Sequence, residues 1–177
     1  MKAPEIISLL TETHKGFIQQ FERMDERQFT ASLTGKWNSS QQLDHLIRSV
    51  QPVVLALSLP LFLLKLVFGK ANRPSRLYDA LVEKYQTKLA AGGRASGRFI
   101  PSPISFQHRA VAIKKLEGLV AKLQDKTASK SEEELDSYVL PHPLLGKLTL
   151  REMLYFSAYH AEHHRISTLK NLEGLPS

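Results

Sequence analysis

The spacing of apolar residues along the chain predicts long amphipathic helices. The first helix should cover residues 4–24, because Pro4 suits the first turn of a helix, where no backbone donor is needed. Its apolar positions alternate between spacings of three and four, the pattern of a helix in a bundle. They are Ile7, Leu10, His14, Phe17, Phe21 and Met24. At His14 this pattern favours a buried, hydrogen-bonded histidine, with a cavity-lining histidine as the alternative.

A second helix is predicted to begin after a polar connection over residues 25–36. Asn38 with Gln41 can form its N-terminal cap, in which each side chain accepts from the other residue's backbone N–H. Ser39 with Gln42 offers an alternative cap. The apolar side of this helix consists of Leu43, Leu46, Ile47, Val50, Val54 and Leu57.

Two residues of the second helix depart from a regular buried pattern. His45 lies at the margin of the apolar side, so periodicity alone leaves open whether it is buried or exposed. Pro52 lies within the apolar region. It predicts a kink or a break, because proline lacks the backbone donor and clashes with the preceding turn.

The most apolar stretch of the chain covers residues 53–68. It contains Pro60 and Lys65 and is shorter than the roughly 20 residues that a membrane span needs. A buried core helix is therefore the preferred interpretation, and no membrane span is expected.

Two further helices are predicted in the middle of the chain. Ser75 can cap a short helix that ends near Ala91, after a loop over residues 69–75. A second loop over residues 94–103 leads to the third long helix, over residues 104–126. The charged residues 126–134 predict a solvated connection or a short turn.

The fourth long helix is predicted over residues 149–172. Thr149 and Glu152 match a capping box at its start. Gly174 and Pro176 follow its last apolar residue, as is typical of a helix end.

These elements predict an all-α fold made of one domain over residues 1–177. The fold should be an antiparallel four-helix bundle with a short helical insert between the second and third long helices. No stretch predicts a β-strand. His142 is expected to be extended only because it precedes Pro143.

Composition excludes several kinds of chemistry. The chain has no cysteine, so it can form neither a disulfide nor a thiolate nucleophile, and a metal site must use His, Asp or Glu. The N-terminal residues lack the apolar core and cleavage site of a secretory signal, which predicts a cytoplasmic protein.

Positive charge is concentrated in residues 65–98, which contain eight basic and two acidic residues. This segment accounts for most of the formal net charge of +7. The preferred interpretation is a solvated face, and the alternative is a binding surface for an anionic partner. Nucleic acid is an unlikely partner, because there is neither a helix-turn-helix signature nor a basic stripe interleaved with aromatic residues.

The fourth helix contains a histidine pair that suggests a metal site. His160 and His164 are four residues apart, so they lie about 40° apart on one helix face, and two imidazoles at this spacing can reach one ion. Met153, Phe156 and Ser167 lie on the same side, which predicts that the pair points into the protein. A third ligand would leave one coordination position open, as in catalytic sites. The candidates for it are His14, His45, His108, His142 and His163.

Three segments together resemble a known family. They are WNSSQQLDHL at residues 37–46, HPLLGKLT at residues 142–149 and HAEHHR at residues 160–165. In order and spacing they are similar to the motifs of the DinB/YfiT-like superfamily. The resemblance implies a four-helix bundle in which His45, His160 and His164 hold one divalent transition metal. It also implies a homodimer.

The resemblance further implies a metal-dependent hydrolase or a transferase that uses a low-molecular-weight thiol. Imidazole ligands suit zinc or nickel better than calcium or magnesium. The reactive group would be a metal-bound water or thiol, and without cysteine the thiol must arrive with the cosubstrate.

No general base stands out in the sequence. Glu162 lies about 200° round the helix from His160 and should face away from the metal. Asp44 could orient a ligand histidine, and His163 could line the pocket; a packing or surface position is the alternative for His163. Tyr159 and Arg165 could contact substrate or a second subunit.

Three functions therefore remain open. The first is a metal-dependent enzyme acting on a small molecule. The second is a binding module that uses residues 65–98 for an anionic partner. The third is a dimeric interaction protein whose site is catalytically silent.

Overall fold

Eight α-helices and one β-hairpin make up residues 1–175, the part of the chain that the computed structural model describes. Pro176, expected to contribute to the end of the last helix, lies outside this part. The helices are α1 (Ala3–Glu22), α2 (Glu26–Thr30), α3 (Ser39–Ser58), α4 (Leu61–Phe68), α5 (Tyr78–Ala90), α6 (Arg109–Ala128), α7 (Glu132–Ser137) and α8 (Leu150–Glu173). The strands are β1 (Val139–His142) and β2 (Gly146–Thr149).

The four long helices α1, α3, α6 and α8 enclose the core. Helix α1 packs against α6 and α8, and α3 packs against the same two helices. Their inward residues include Phe17, Leu43, Leu116 and Leu154, which are fully buried. Burying a side chain of this size stabilises the fold by about 1.5–3 kcal/mol, and the predicted apolar positions Phe17 and Leu43 are among the residues that contribute in this way.

Helix α3 begins as predicted but continues through Pro52. The Asn38 side chain accepts from the backbone N–H of Gln41, and the Gln41 side chain accepts from that of Asn38. The break comes instead at Leu59, which is extended because it precedes Pro60. The break expected near Pro52 therefore occurs at the next proline, Pro60, instead.

The apolar stretch at residues 53–68 is not one buried helix. Its first part is the end of α3, where Val53 and Leu57 are buried but Leu55 is exposed. In α4 only Leu64 is buried, whereas Phe62, Leu66 and Val67 are exposed. Within residues 1–175 no single helix is long and apolar enough to cross a membrane. Helices α3 and α4 meet this test only when taken together, and the chain bends by 114° at the break between them.

The expectation that no strand forms was wrong. Strands β1 and β2 pair antiparallel, with Leu140 opposite Leu148 and both side chains buried. Gly146 has a φ of 76°, which favours glycine, and it begins β2 after the tight turn. Each strand has only four residues, too few for an alternating pattern to be recognised. His142 is extended, as expected.

Several shorter elements also differ from the predictions. Helix α2 lies within the predicted polar connection over residues 25–36, and α7 begins within the charged connection after α6. Ser75 does not cap α5, which begins at Tyr78; its hydroxyl instead contacts Asp136 and Thr149. The Ser75 contacts reach distant residues, whereas α2 and α7 begin with local capping boxes, Asp25 with Gln28 and Ser131 with Glu134.

Helix α8 has the predicted start and end. The backbone N–H of Glu152 donates to Thr149 Oγ1 at 3.1 Å, and the N–H of Thr149 donates to Glu152 Oε2 at 3.0 Å. Gly174 follows its last residue. This helix runs through the core and carries the histidine pair in its second half.

Candidate metal centre

Three histidines from two helices meet in the interior. His45 Nε2 of α3 lies 3.3 Å from His160 Nε2 of α8, and His164 Nε2 lies 2.9 Å from the same atom. The side chains come from one turn of α3 and one turn of α8, where these two helices pack together. Periodicity left the position of His45 open, and the structure buries it to 5 % exposure, beside the equally buried pair.

Two of the three imidazoles are held in a defined tautomer. His45 Nδ1 donates to the backbone carbonyl of Phe99 at 2.7 Å, and His164 Nδ1 donates to the side-chain oxygen Oε1 of Gln42. Because both protons lie on Nδ1, the Nε2 atoms of these two rings carry bare lone pairs. Both lone pairs face the cluster, the orientation that a metal ligand requires.

Hydrogen bonds within the cluster cannot satisfy all three Nε2 atoms. At most His160 carries a proton on Nε2, and one proton can serve only one neighbouring lone pair. In addition, His160 Nδ1 is buried and has no hydrogen-bond partner in the described structure. Buried polar groups without partners are costly, so the unshared Nε2 lone pairs favour a further group among the three rings; such a group would not supply a partner for His160 Nδ1.

Two of the three Nε2–Nε2 separations match those around a single metal ion, and the ligand atoms of all three histidines lie within 4.8 Å of one another. Two nitrogens bound to one ion at about 2.0–2.1 Å, with tetrahedral or octahedral angles, lie about 2.8–3.4 Å apart. The observed separations of 2.9 and 3.3 Å fall in this range. No other group of three His, Asp or Glu side chains within residues 1–175 has ligand atoms close enough to share an ion.

The electrostatic environment keeps these imidazoles in the form that binds metals. Burial lowers the pKa of His160 and His164 well below the usual value, and each is lowered further by neighbouring histidines. Burial also lowers the pKa of His45, against the opposing effect of its hydrogen bond to Phe99. All three are therefore neutral at pH 7, with their lone pairs available.

The cluster lines a cavity of about 580 Å³. This volume is typical of a site for a small organic molecule. The predicted inward face of α8 is confirmed, since Met153, Phe156 and Ser167 all line this cavity. The histidine cluster is thus adjacent to space for a ligand.

Two other predicted histidines line the cavity without joining the cluster. The His163 ring centroid lies 5.1 Å from that of His164, and burial lowers the pKa of His163. His142 packs on Phe156 with ring centroids 4.3 Å apart. Its Nδ1 accepts from the backbone N–H groups of Leu144 and Leu145, so this atom supports the hairpin turn and is not free to bind a metal.

The hydrogen bonds of Asp44 go to Arg48 and to a neighbouring loop. Asp44 Oδ2 accepts from Arg48 Nε at 2.6 Å and from the backbone N–H of Ser102 at 2.7 Å. Arg48 also donates to the carbonyl of Arg98 at 3.3 Å. Asp44 therefore fastens the loop that supplies the Phe99 carbonyl to His45, instead of contacting a ligand histidine itself.

The remaining candidates lie elsewhere. His14 is buried in α1 and donates to the carbonyl of Leu10, as the preferred interpretation held. His108 is exposed and contacts Ser105 before α6. Glu162, Arg165 and Tyr159 make contacts near the surface. Glu162 forms an ion pair with Arg165 at 2.7 Å, and Tyr159 accepts a hydrogen bond from Gln86.

Sequence reasoning missed several residues that shape the site. The Trp37 ring lies 4.8 Å from His45 and 6.3 Å from His164, measured between centroids. Tyr85 of α5 lines the cavity beside His160. Gln42 could have been identified, because a residue three positions before His45 shares its helix face. The Phe99 carbonyl had no such signal, since any residue supplies this atom.

Fold and site together define a class of protein: predominantly helical, with three buried histidines that could hold one metal ion beside a ligand-sized cavity. The chain belongs to the DinB superfamily, whose family profile matches residues 9–166. This confirms the resemblance inferred from the three sequence motifs. Comparisons with curated proteins and with solved structures gave no match.

Proposed function

We propose that the protein is a metal-dependent enzyme in which His45, His160 and His164 bind one divalent transition metal, zinc or nickel. The observation that supports this most strongly is the convergence of three buried Nε2 atoms that share at most one proton. Imidazole donors suit these metals, whereas calcium and magnesium prefer oxygen ligands. Three neutral protein ligands also leave a coordination position for a further ligand.

When bound, such an ion acts as a Lewis acid and lowers the pKa of water or a thiol in its open position. The protein's own contribution is orientation. The Phe99 carbonyl and the Gln42 side chain hold His45 and His164 with Nε2 facing inward. Trp37 covers these two rings and limits the access of water.

The reaction we propose is hydrolysis or thiol transfer on a small molecule bound in the cavity. A thiol would have to come with the cosubstrate, since the chain has no cysteine. His163 lines the cavity next to the cluster and is our candidate for receiving a proton from the substrate. We also propose that the four long helices form an antiparallel four-helix bundle within one domain, and that the protein is a homodimer.

The test is metal content and turnover in protein purified without a histidine tag. We expect about one equivalent of zinc or nickel in the wild type and loss of most of it in His45→Ala and His160→Ala. His108→Ala is the matched control, because His108 is an exposed histidine outside the cluster. Protein without metal, and with the same melting temperature after zinc or nickel is added, would contradict the proposal. Binding without turnover of thiol or ester substrates would favour a silent binding protein.

A further inference from the structure

The cavity beside the metal centre has an unbalanced charge. Three cationic side chains line it, from Lys36, Arg94 and Arg98. None of the described residues that line it is Asp or Glu. A positive wall of this kind raises the local concentration of anions and disfavours cationic ligands.

Five of the eight cations in the basic segment over residues 65–98 fall into two groups. In the first, the cations already have partners: Arg73 and Arg76 donate to the buried carboxylate of Glu152. Lys84 donates to the carbonyl of Leu145 at 2.8 Å. In the second group, Arg94 and Arg98 lie at the cavity, which the sequence alone could not reveal.

The cations of the cavity wall have no acidic partner. Among the described residues, Lys36, Arg94 and Arg98 form no ion pair. Asp44 is nearby, through its contact with Ser102, but it is already paired with Arg48 at 2.6 Å. The charge at the wall is thus available to a ligand.

Arg98 is held beside the metal centre by its own loop. Its guanidinium lies over the Phe99 ring, 5.1 Å from the centroid. The carbonyl of Phe99 accepts the hydrogen bond from His45, and the carbonyl of Arg98 accepts one from Arg48. One short segment therefore orients a candidate metal ligand and presents a cation to the same cavity.

The rest of the cavity is largely apolar. Its wall includes Val53, Ala56, Leu140, Leu144, Met153 and Phe156. An apolar wall favours a ligand with a hydrocarbon or aromatic body. The cationic part and the apolar part of the wall together suit a ligand that has an apolar part and one anionic group.

We propose that the cavity binds a small anionic amphiphile whose carboxylate, sulfonate or phosphate is bound by Arg94 and Arg98, with its apolar part against α8. The proposal rests on the proposed function, since it names the substrate class of the same site. Arginine suits this role because its guanidinium can donate two parallel hydrogen bonds to such an anion. Both arginines are exposed, so the attraction should weaken with added salt.

The probe is 1-octanesulfonate, compared with the uncharged methyl octyl sulfone, in calorimetric titrations of metal-free and zinc-loaded protein. A sulfonate is a poor metal ligand, so its binding reports the arginines and not the ion. We expect the sulfonate to bind at least tenfold more tightly than the sulfone. The variant Arg94→Gln/Arg98→Gln should lose about tenfold in sulfonate affinity while the affinity for the sulfone and for zinc is unchanged.

The control is Lys114→Gln/Lys115→Gln, which removes the same charge from exposed positions on α6 and should leave sulfonate affinity unchanged. Equal loss in both variants would overturn the proposal, because it would show only an effect of net charge. So would equal affinity for sulfonate and sulfone in wild-type protein that binds zinc, a result that leaves the proposed metal function intact. Arginine-dependent sulfonate binding in protein that cannot bind zinc would instead overturn the metal function.

Discussion

The two halves of helix α8 each bury a polar cluster, and the clusters differ in how completely their atoms are satisfied. In the first half, the carboxylate of Glu152 is fully buried and accepts from Arg73 at 2.7 and 2.8 Å, from the N–H of Arg76 at 2.8 Å and from Thr149. In the second half, the Nε2 atoms of three imidazoles face one another and share at most one proton. The first cluster is complete, whereas the second lacks a partner.

This difference distinguishes a structural role from a functional one. Burial alone would raise the pKa of Glu152, but the donors around it lower that pKa overall, so the ionised carboxylate is stabilised. It connects the segment before α5 to the start of α8. The histidines have no comparable set of protein partners, which supports the proposal that they bind an external ion.

The largest expected effect comes from breaking the complete cluster. Glu152→Ala removes the capping box and leaves two arginines unpaired, so we expect a loss of about 4 kcal/mol in the free energy of unfolding. Urea denaturation followed by circular dichroism measures it. Glu117→Ala, which removes an exposed carboxylate from α6, is the control and should change stability by less than about 0.5 kcal/mol. A small loss in Glu152→Ala would mean that the cluster is not structural.

His14, which is buried outside both clusters, provides the next test, because its protonation should make the stability of the protein depend on pH. Burial lowers the pKa of His14 to about 4, whereas the unfolded chain has the ordinary value of 6.5. Between these values the unfolded state binds more protons, so stability falls as the pH falls from 6.5 to 4. The expected contribution is about 3 kcal/mol. His14→Leu should remove that part of the pH dependence and leave zinc binding unchanged.

Urea denaturation at a series of pH values measures the His14 contribution. Identical slopes of stability against pH in wild-type protein and in His14→Leu would contradict the expectation. The comparison should be made on metal-free protein in both cases, because a bound metal adds its own pH dependence.

Unlike substitution of Glu152, substitution in the histidine cluster should have little effect on the stability of the metal-free protein. Without metal, His160→Leu should change stability by no more than about 1 kcal/mol, since an apolar side chain of similar size replaces poorly satisfied polar atoms. With zinc at one hundred times its dissociation constant, the wild type should gain about 2.7 kcal/mol and the variant nothing. Thermal melts with and without zinc test both points. A marked loss in metal-free His160→Leu would show that the cluster is structural.

The smallest expected effect comes from the residue that orients His164. Gln42→Leu removes the acceptor for His164 Nδ1, and we expect zinc affinity to fall about 10–100-fold while the fold is retained. Competition with a chelator of known affinity measures this. Gln51→Leu, at an exposed position of the same helix, is the matched control. Unchanged affinity in Gln42→Leu would remove this residue from the site.

The parts of the molecule that sequence predicted are those with local signals. The periodicity of α1 and α8, the caps at Asn38 and Thr149, and the spacing of His160 and His164 all concern residues within one or two turns. The same helix geometry predicted which face of α8 points into the protein. These signals arise from helix geometry itself, so they do not depend on distant parts of the chain.

The parts that sequence could not predict depend on contacts between distant segments. His45 is buried because α3 packs against α8, and its hydrogen bond reaches the backbone of Phe99, 54 positions away. The hairpin is too short for a pattern, and α4 is apolar yet largely exposed. For His45 the family resemblance supplied what periodicity lacked. The dimer, the compartment and the identity of the metal stay predictions.

The most direct measurement of the central claim is an anomalous diffraction map from crystals of the untagged protein loaded with zinc. The account predicts one peak, about 2.0–2.1 Å from Nε2 of each of His45, His160 and His164. A peak at another site, or no peak among these three atoms after loading, would contradict it.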